Sequence, residues 1–155
     1  GAIETVAHVE VNRYLGTWYQ IADIPQSFEG NCVCAQQKLG IAANGNVSVY
    51  NSCNRNTPDG ALAEIHGEAI NADPASNSKF VVDFHLPWKG EYWIIALDSD
   101  YRYAAVTDSK GKSLYILSKT PQLSDELYKA VVAEAGKQVD ASKLHITSQV
   151  DCKYP

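Results

Sequence analysis

The chain has 155 residues, 45% of them apolar and 10% aromatic, and its 13 Lys and Arg stand against 18 Asp and Glu for a net charge of −5. That composition excludes a disordered chain, and the length suits one domain over residues 1–155. No basic run is large enough to neutralise a row of phosphates, which excludes nucleic acid as a partner, and no apolar run approaches the roughly 20 residues of a membrane-spanning helix.

The sequence opens Gly1-Ala2 and contains no methionine, the pattern of a mature segment trimmed from a longer precursor or prepared for expression. From Leu15 to Leu117 turn signals recur at short, even intervals: Asp23-Ile24-Pro25, Gly40, Asn44-Gly45, Pro58-Asp59-Gly60, Asp73-Pro74, Pro87 to Gly90, Asp98 to Asp100 and Asp108 to Gly111. This is the punctuation of an all-β chain. Asn44-Gly45 suits a tight hairpin turn because both residues tolerate positive φ. Eight strands are expected between these signals: 17–24, 33–41, 47–53, 62–71, 79–86, 92–97, 101–107 and 113–118. Several alternate at period two: Phe80, Val82 and Phe84 oppose Val81, Asp83 and His85, and Ala35, Gln37, Leu39 and Ile41 oppose Cys34, Gln36 and Lys38.

After Pro121 the period changes. Ser124 is a suitable N-cap, Asp125 and Glu126 suit the first turn, Leu127, Val131 and Ala135 form an apolar stripe, and Gly136 is a natural stop. A helix over 124–135 follows, lying against the outside of the sheet. An extended tail over 144–152 ends at Cys152. Eight antiparallel strands with short connections form a sandwich or a barrel, and closure removes the edges that invite aggregation. The expected fold is therefore an all-β, eight-stranded up-and-down antiparallel barrel over about 15–118, with one C-terminal α-helix on its outside.

Cys32, Cys34, Cys53 and Cys152 form an even set that favours an oxidising compartment, and spacing alone leaves three pairings open. The single residue between Cys32 and Cys34 is too short for a zinc knuckle, and His8, His66, His85 and His145 share no spacing, so no metal is expected and all four histidines read as surface or packing residues. Asp83 and Glu91 are the carboxylates placed near the open end of the barrel, both as solvated groups, which gives no encouragement to general acid–base chemistry.

Tyr14-Leu15-Gly16-Thr17-Trp18-Tyr19 resembles the Gly-x-Trp motif of the lipocalins. Ala96 to Tyr103, centred on Asp98, resembles their second motif, and Tyr115 to Pro121 their third. Ile24-Pro25 with Phe28-Glu29, Tyr92 to Asp98, and Gln149-Val150-Asp151-Cys152 are most similar to the apolipoprotein D and bacterial outer-membrane group of that family. The resemblance implies that Gly16, Trp18, Asp98 and Lys119 are structural. Lys119 stands where the family usually has an Arg stacked on the motif Trp; lacking the planar fork, it implies a looser floor. The resemblance also implies a Cys34–Cys152 bond, which leaves Cys32 with Cys53; Cys32 with Cys152 is the alternative.

The function implied is binding and transport or storage of a small hydrophobic ligand, such as a fatty acid, lysophospholipid, retinoid or bilin, with no cofactor and no catalysis. Parity from the motifs gives a ligand-facing wall of Ala35, Gln37, Leu39, Val47, Val49, Phe80, Val82, Phe84, Tyr103, Tyr115 and Leu117, with Phe28 and Trp88 framing the mouth. An inward Gln37 or Tyr115 must find a polar partner, supplied by a ligand head group or water. Two alternatives remain: an isomerase using a thiol at Cys32 or Cys34, and an interaction protein whose barrel is filled by its own side chains. The implied location is secreted, or periplasmic and membrane-associated through a lipid anchor in a bacterium. Oligomeric state and ligand identity stay open.

Overall fold

The computed structural model describes residues 1–26 and 31–155. A short helix α1 (Val11–Tyr14) precedes β1 (Gly16–Asp23), β2 (Cys32–Ile41), β3 (Val47–Arg55), β4 (Leu62–Asn71), β5 (Lys79–Asp83), β6 (Gly90–Leu97), β7 (Tyr103–Thr107) and β8 (Tyr115–Ser118). The helix α2 (Asp125–Ala135), a 3-10 turn (Ala141–Lys143) and a two-residue strand β9 (His145–Ile146) follow. Among the described residues β1 to β8 form one antiparallel meander that closes on itself: β8 pairs with β1, and β1 pairs with β2. This is the expected eight-stranded barrel.

Two segments differ from the sequence expectation. β5 stops at Asp83 because His85 takes φ +62° and its N–H turns back to Asp83 Oδ1 at 2.8 Å. β7 starts only at Tyr103, because Tyr101 (φ +58°) closes a turn whose Tyr101 N–H donates to Asp98 O. The extended tail forms strand pairing only at β9, and beyond it joins β1 and β2 through individual hydrogen bonds rather than a ladder. The β2–β3 hairpin closes through Ala42 to Asn46, with the positive φ on Gly45 only.

The tail has a specific place. β1 contacts β2 only over Gly16–Tyr19 opposite Gln36–Leu39, and toward Asp23 the two strands part. The tail fills that seam: Thr147 N–H donates to Ile21 O, Cys34 N–H donates to Ser148 O, and the Gln149 side-chain amide donates to both Gln20 O (2.9 Å) and Ala35 O (2.8 Å). Gln149 and Gln36 are buried as a result. Cys34 is joined to Cys152, whose Cα lies 5.6 Å away, and Cys32 to Cys53 at 5.7 Å.

Two cores result, one on each side of the barrel wall. Inside, Trp18, Leu39, Val47, Val49, Phe80, Val82, Ile94 and Leu117 pack together with Val9 and Tyr14, which close one end. Outside, Val131 and Ala135 of α2 cover Ala22, Ile95, Ala105 and Ile116. α2 begins as its sequence requires, with Ser124 Oγ accepting from Leu127 N–H at 3.2 Å and Asp125 and Glu126 in the first turn. Its end differs from the expectation. Gly136 keeps a right-handed φ of −64°, so the chain runs on through a bonded turn in which Val139 N–H donates to Ala135 O, and Val139 enters the outer core.

Candidate functional site

At the closed end, Trp18 is completely buried and its indole N–H donates to Tyr14 O at 2.8 Å. Gly16 precedes it with φ +110°, a backbone state that disfavours any side chain. The Lys119 ammonium sits 4.7 Å from the Trp18 ring centroid and donates to Leu15 O at 2.6 Å, with Arg13 O and Tyr14 O at 3.4 Å. These carbonyls end α1, where a cation is electrostatically favoured. Lys119, although it is not a fork, gathers several carbonyls and covers the Trp. Partial burial lowers its pKa. Asp98 braces the same end, accepting from Arg102 N–H, Nε and Nη2, and the Arg102 guanidinium beside it holds its carboxyl below the ordinary range.

Above the floor a strut crosses the barrel. Tyr92 Oη donates to Gln37 Oε1 at 2.8 Å and accepts from Tyr14 Oη at 2.8 Å. Burial holds both phenols above the ordinary tyrosine range, so they remain neutral donors. Gln37 thus finds its polar partner within the protein. Below the strut, Val9, Val11, Leu15, Leu39, Val47, Val49, Ala69, Phe80 and Val82 leave only about 20 Å³.

Above it lies a cavity of about 900 Å³, open at the end where β2 begins. Of the predicted wall, Ala35, Gln37, Val49, Val82, Phe84, Tyr115 and Leu117 line this cavity; Leu39, Val47 and Phe80 lie below in the packed part. Phe84 is seated on Gly67, where a Cβ would come within 2.6 Å of the ring. One placement is corrected. Tyr103 belongs to the outer core under α2, because Ala104 and Val106 take the inward positions of β7. Trp88 is not among the residues that line this cavity: with β5 ended at Asp83 it sits on the loop between the lining residues Phe84 and Gly90, 67% exposed. Phe28 lies outside the described residues.

Sequence reasoning missed several cavity residues. Asn51, Ala63 and Ile65 belong to the inward rows of β3 and β4, and the tail contributes His145, Ile146, Thr147 and Ser148 to the wall. The bond of the tail to β2 was the available signal, since it draws the tail over the seam. His145 is therefore a cavity residue as well as a surface one. The carboxylates at the mouth also differ: Glu91 is there, but Asp23 lines the cavity beside Tyr115 and His145, its cross-strand neighbours, while Asp83 does not. Burial raises the Asp23 pKa, and the His145 charge partly offsets this. Asn51 Oδ1 is buried with no hydrogen-bond partner among the described residues. No group of His, Cys, Asp and Glu among the described residues is placed to hold a metal ion.

A closed eight-stranded barrel with a hollow open half, a Gly-Trp floor covered by a cation and a helix laid outside defines the lipocalin architecture. Residues 9–149 match the model of the lipocalin-like domain, and the chain belongs to that family. It is 35% identical to temperature-induced lipocalin-1 of Arabidopsis thaliana, covering 96% of this chain and 84% of the relative. It is 32% identical to the outer membrane lipoprotein Blc of Escherichia coli K12 (91% and 80%) and 33% identical to mouse apolipoprotein D (92% and 78%). The fold is similar to that of insecticyanin from Manduca sexta, with a TM-score of 0.76 at 24% identity over 98% of this chain and 88% of the other. Lobster apocrustacyanin A1 is also similar (0.71, 18%, 96% and 91%).

Proposed function

We propose that this lipocalin binds and carries or stores a small hydrophobic ligand in the open half of its barrel. The single observation that supports this most is the contrast within one barrel: about 20 Å³ of space below the Tyr92 strut and about 900 Å³ above it. A chain selected only for stability would fill the upper half as it fills the lower, because an empty volume forfeits contacts. The upper wall sets apolar side chains, among them Val49, Ile65, Val82, Phe84 and Leu117, beside polar ones, the two kinds of group a ligand site needs. That volume also weighs against the filled-barrel alternative.

The isomerase alternative requires a thiolate. Cys32 and Cys34 are both in disulfides and no cysteine is free, so the nucleophile is missing from the oxidised protein. The two disulfides fit a secreted or periplasmic location, because such bonds persist in oxidising compartments. The name of the Escherichia coli relative, an outer membrane lipoprotein, makes membrane association one form of that reading.

The test is a titration of the delipidated, non-reduced protein with the neutral dye N-phenyl-1-naphthylamine, followed by competition with a fatty acid, a lysophospholipid, a retinoid and a bilin. Saturable one-to-one enhancement that at least one competitor reverses supports a carrier. No enhancement from a protein whose far-ultraviolet dichroism shows the folded barrel overturns the reading.

A further inference from the structure

A few side chains draw the boundary between the two halves of the barrel. Val49, Val82 and Tyr92 border both the packed half and the cavity. Gln37, tied to Tyr92, is the deepest residue of β2 on the cavity wall, because the next inward residue, Leu39, already lies below. With only about 20 Å³ beneath this level, a chain that reaches Gln37 meets it with its leading end.

The hydrogens of the strut run in one direction. Tyr92 Oη carries a single hydrogen, which goes to Gln37 Oε1, so the hydrogen of its 2.8 Å contact with Tyr14 comes from Tyr14. This relay fixes which end of the Gln37 amide meets the strut and leaves Nε2 as its last donor, with no acceptor among the described residues. That nitrogen is not sealed in the wall. Among the described residues the buried side-chain polar atom without a partner is Asn51 Oδ1, whereas Gln37 is only half-buried and stands in the row that faces the cavity. Hydrogen bonds in a chain polarise one another, so the open N–H at the end of this one is a strengthened donor.

We propose that Gln37 Nε2 donates to a carbonyl oxygen at the leading end of an apolar chain, so that the ligand enters the barrel carbonyl first and stops at the strut. This rests on the carrier reading above and narrows its ligand class to chains with a terminal carbonyl. A carbonyl oxygen suits the position because it only accepts, whereas the hydrogen of a hydroxyl would find no partner on a nitrogen that only donates. Val49 and Val82, at the same level, give the adjoining carbons apolar contact.

The experiment compares the isomers tridecan-2-one and tridecan-7-one by displacement of N-phenyl-1-naphthylamine, on the natural protein and on Gln37→Met. Infrared difference spectra of the ketones, carbon-13-labelled at the carbonyl, report whether the bound oxygen accepts a hydrogen bond. The isomers have the same atoms and differ only in where the carbonyl lies, and the packed half of the barrel keeps a mid-chain carbonyl away from Gln37. Tridecan-2-one is expected to bind at least about fivefold more tightly, the value of one neutral hydrogen bond, with its carbonyl band moved to lower frequency. Gln37→Met, which keeps the length of the side chain without the N–H, should bring the isomers to equal affinity and return the band to that of a carbonyl without a donor. A purely structural role for Gln37 would not move that band. If Gln37→Met fails to fold, the isomer ratio and the band of the natural protein decide. Isomers of equal affinity, an unmoved band, a preference that survives in folded Gln37→Met, or bound dye that neither ketone displaces overturns the Gln37 contact. Each of these leaves the carrier reading standing. A dye that never binds the folded barrel overturns the carrier reading itself, and the Gln37 contact with it.

Discussion

The two ends of the barrel are held together by different means. The closed end is packed: Trp18 is fully buried, Lys119 covers it, and Val9 and Tyr14 fill the space beneath the strut. The open end has a cavity where a core would be, and it is held by covalent and polar ties at its edge. Cys32–Cys53 links the start of β2 to β3, Cys34–Cys152 fixes the tail, and Gln149 bridges β1 and β2 where their own pairing stops. A hollow half forgoes packing energy, so its stability comes from restricting the unfolded chain and from a strap over the seam. The space that serves binding is possible because cross-links replace the missing core.

The covalent ties give the largest expected effects. Replacing Cys34 and Cys152 together with Ser opens a loop of 118 residues and should cost about 4 to 5 kcal/mol, against about 3 kcal/mol for the 21-residue loop between Cys32 and Cys53. Urea unfolding measures both, and equal costs would show that the tail contributes no more than the local link. Next, Trp18→Ala at the packed end should cost about 3 to 5 kcal/mol by the same measurement, while leaving the residual binding of the folded fraction unchanged.

Removing single ties should have smaller effects. Lys119→Met, which deletes the cation and its carbonyl contacts but keeps the stem, should cost about 2 kcal/mol; a loss near zero would return Lys119 to the role of a solvated surface charge. Acid titration distinguishes the ends by sign. Asp98, whose pKa is depressed by Arg102, contributes stability that is complete above its unfolded pKa and is lost as the pH falls through its lower folded value. Asp98→Asn should therefore flatten the acid limb of a melting-temperature profile. Asp23, whose pKa burial raises, has the opposite slope: its cost grows as the pH rises from the unfolded pKa through the folded one, so Asp23→Asn should raise the melting temperature at pH 7.

The closed end was much more legible in the sequence than the open end. Gly16, Trp18, Asp98 and Lys119 were marked by the resemblance of their segments to the lipocalin motifs, and β5, with apolar and polar residues alternating, revealed its inward face. Parity failed at Tyr103 because β7 reads Tyr-Ala-Ala-Val-Thr, with no charged residue on either face: α2 covers its outer face, and a strand buried on both sides carries no alternation to read. The mouth was the least legible part. Asp23 and His145 are brought together by the path of the tail, and Asn51 reaches the same cavity wall through the register of β3; nothing in their local sequence marks them as parts of one wall. Gln149 illustrates the same limit: its clip depends on β1 and β2 parting, which no single segment encodes.

The most direct test of the hollow open half is a bulky substitution into it. Ile65 lines the cavity in the row of Asn51, and in a filled core Ile65→Trp would cost about 1 to 3 kcal/mol through overpacking. In a cavity kept for a ligand, Ile65→Trp should leave the unfolding free energy from urea titration within about 0.5 kcal/mol of the natural protein and weaken dye binding at least about tenfold. Strong destabilisation of Ile65→Trp, or full stability with undiminished binding, would contradict the account.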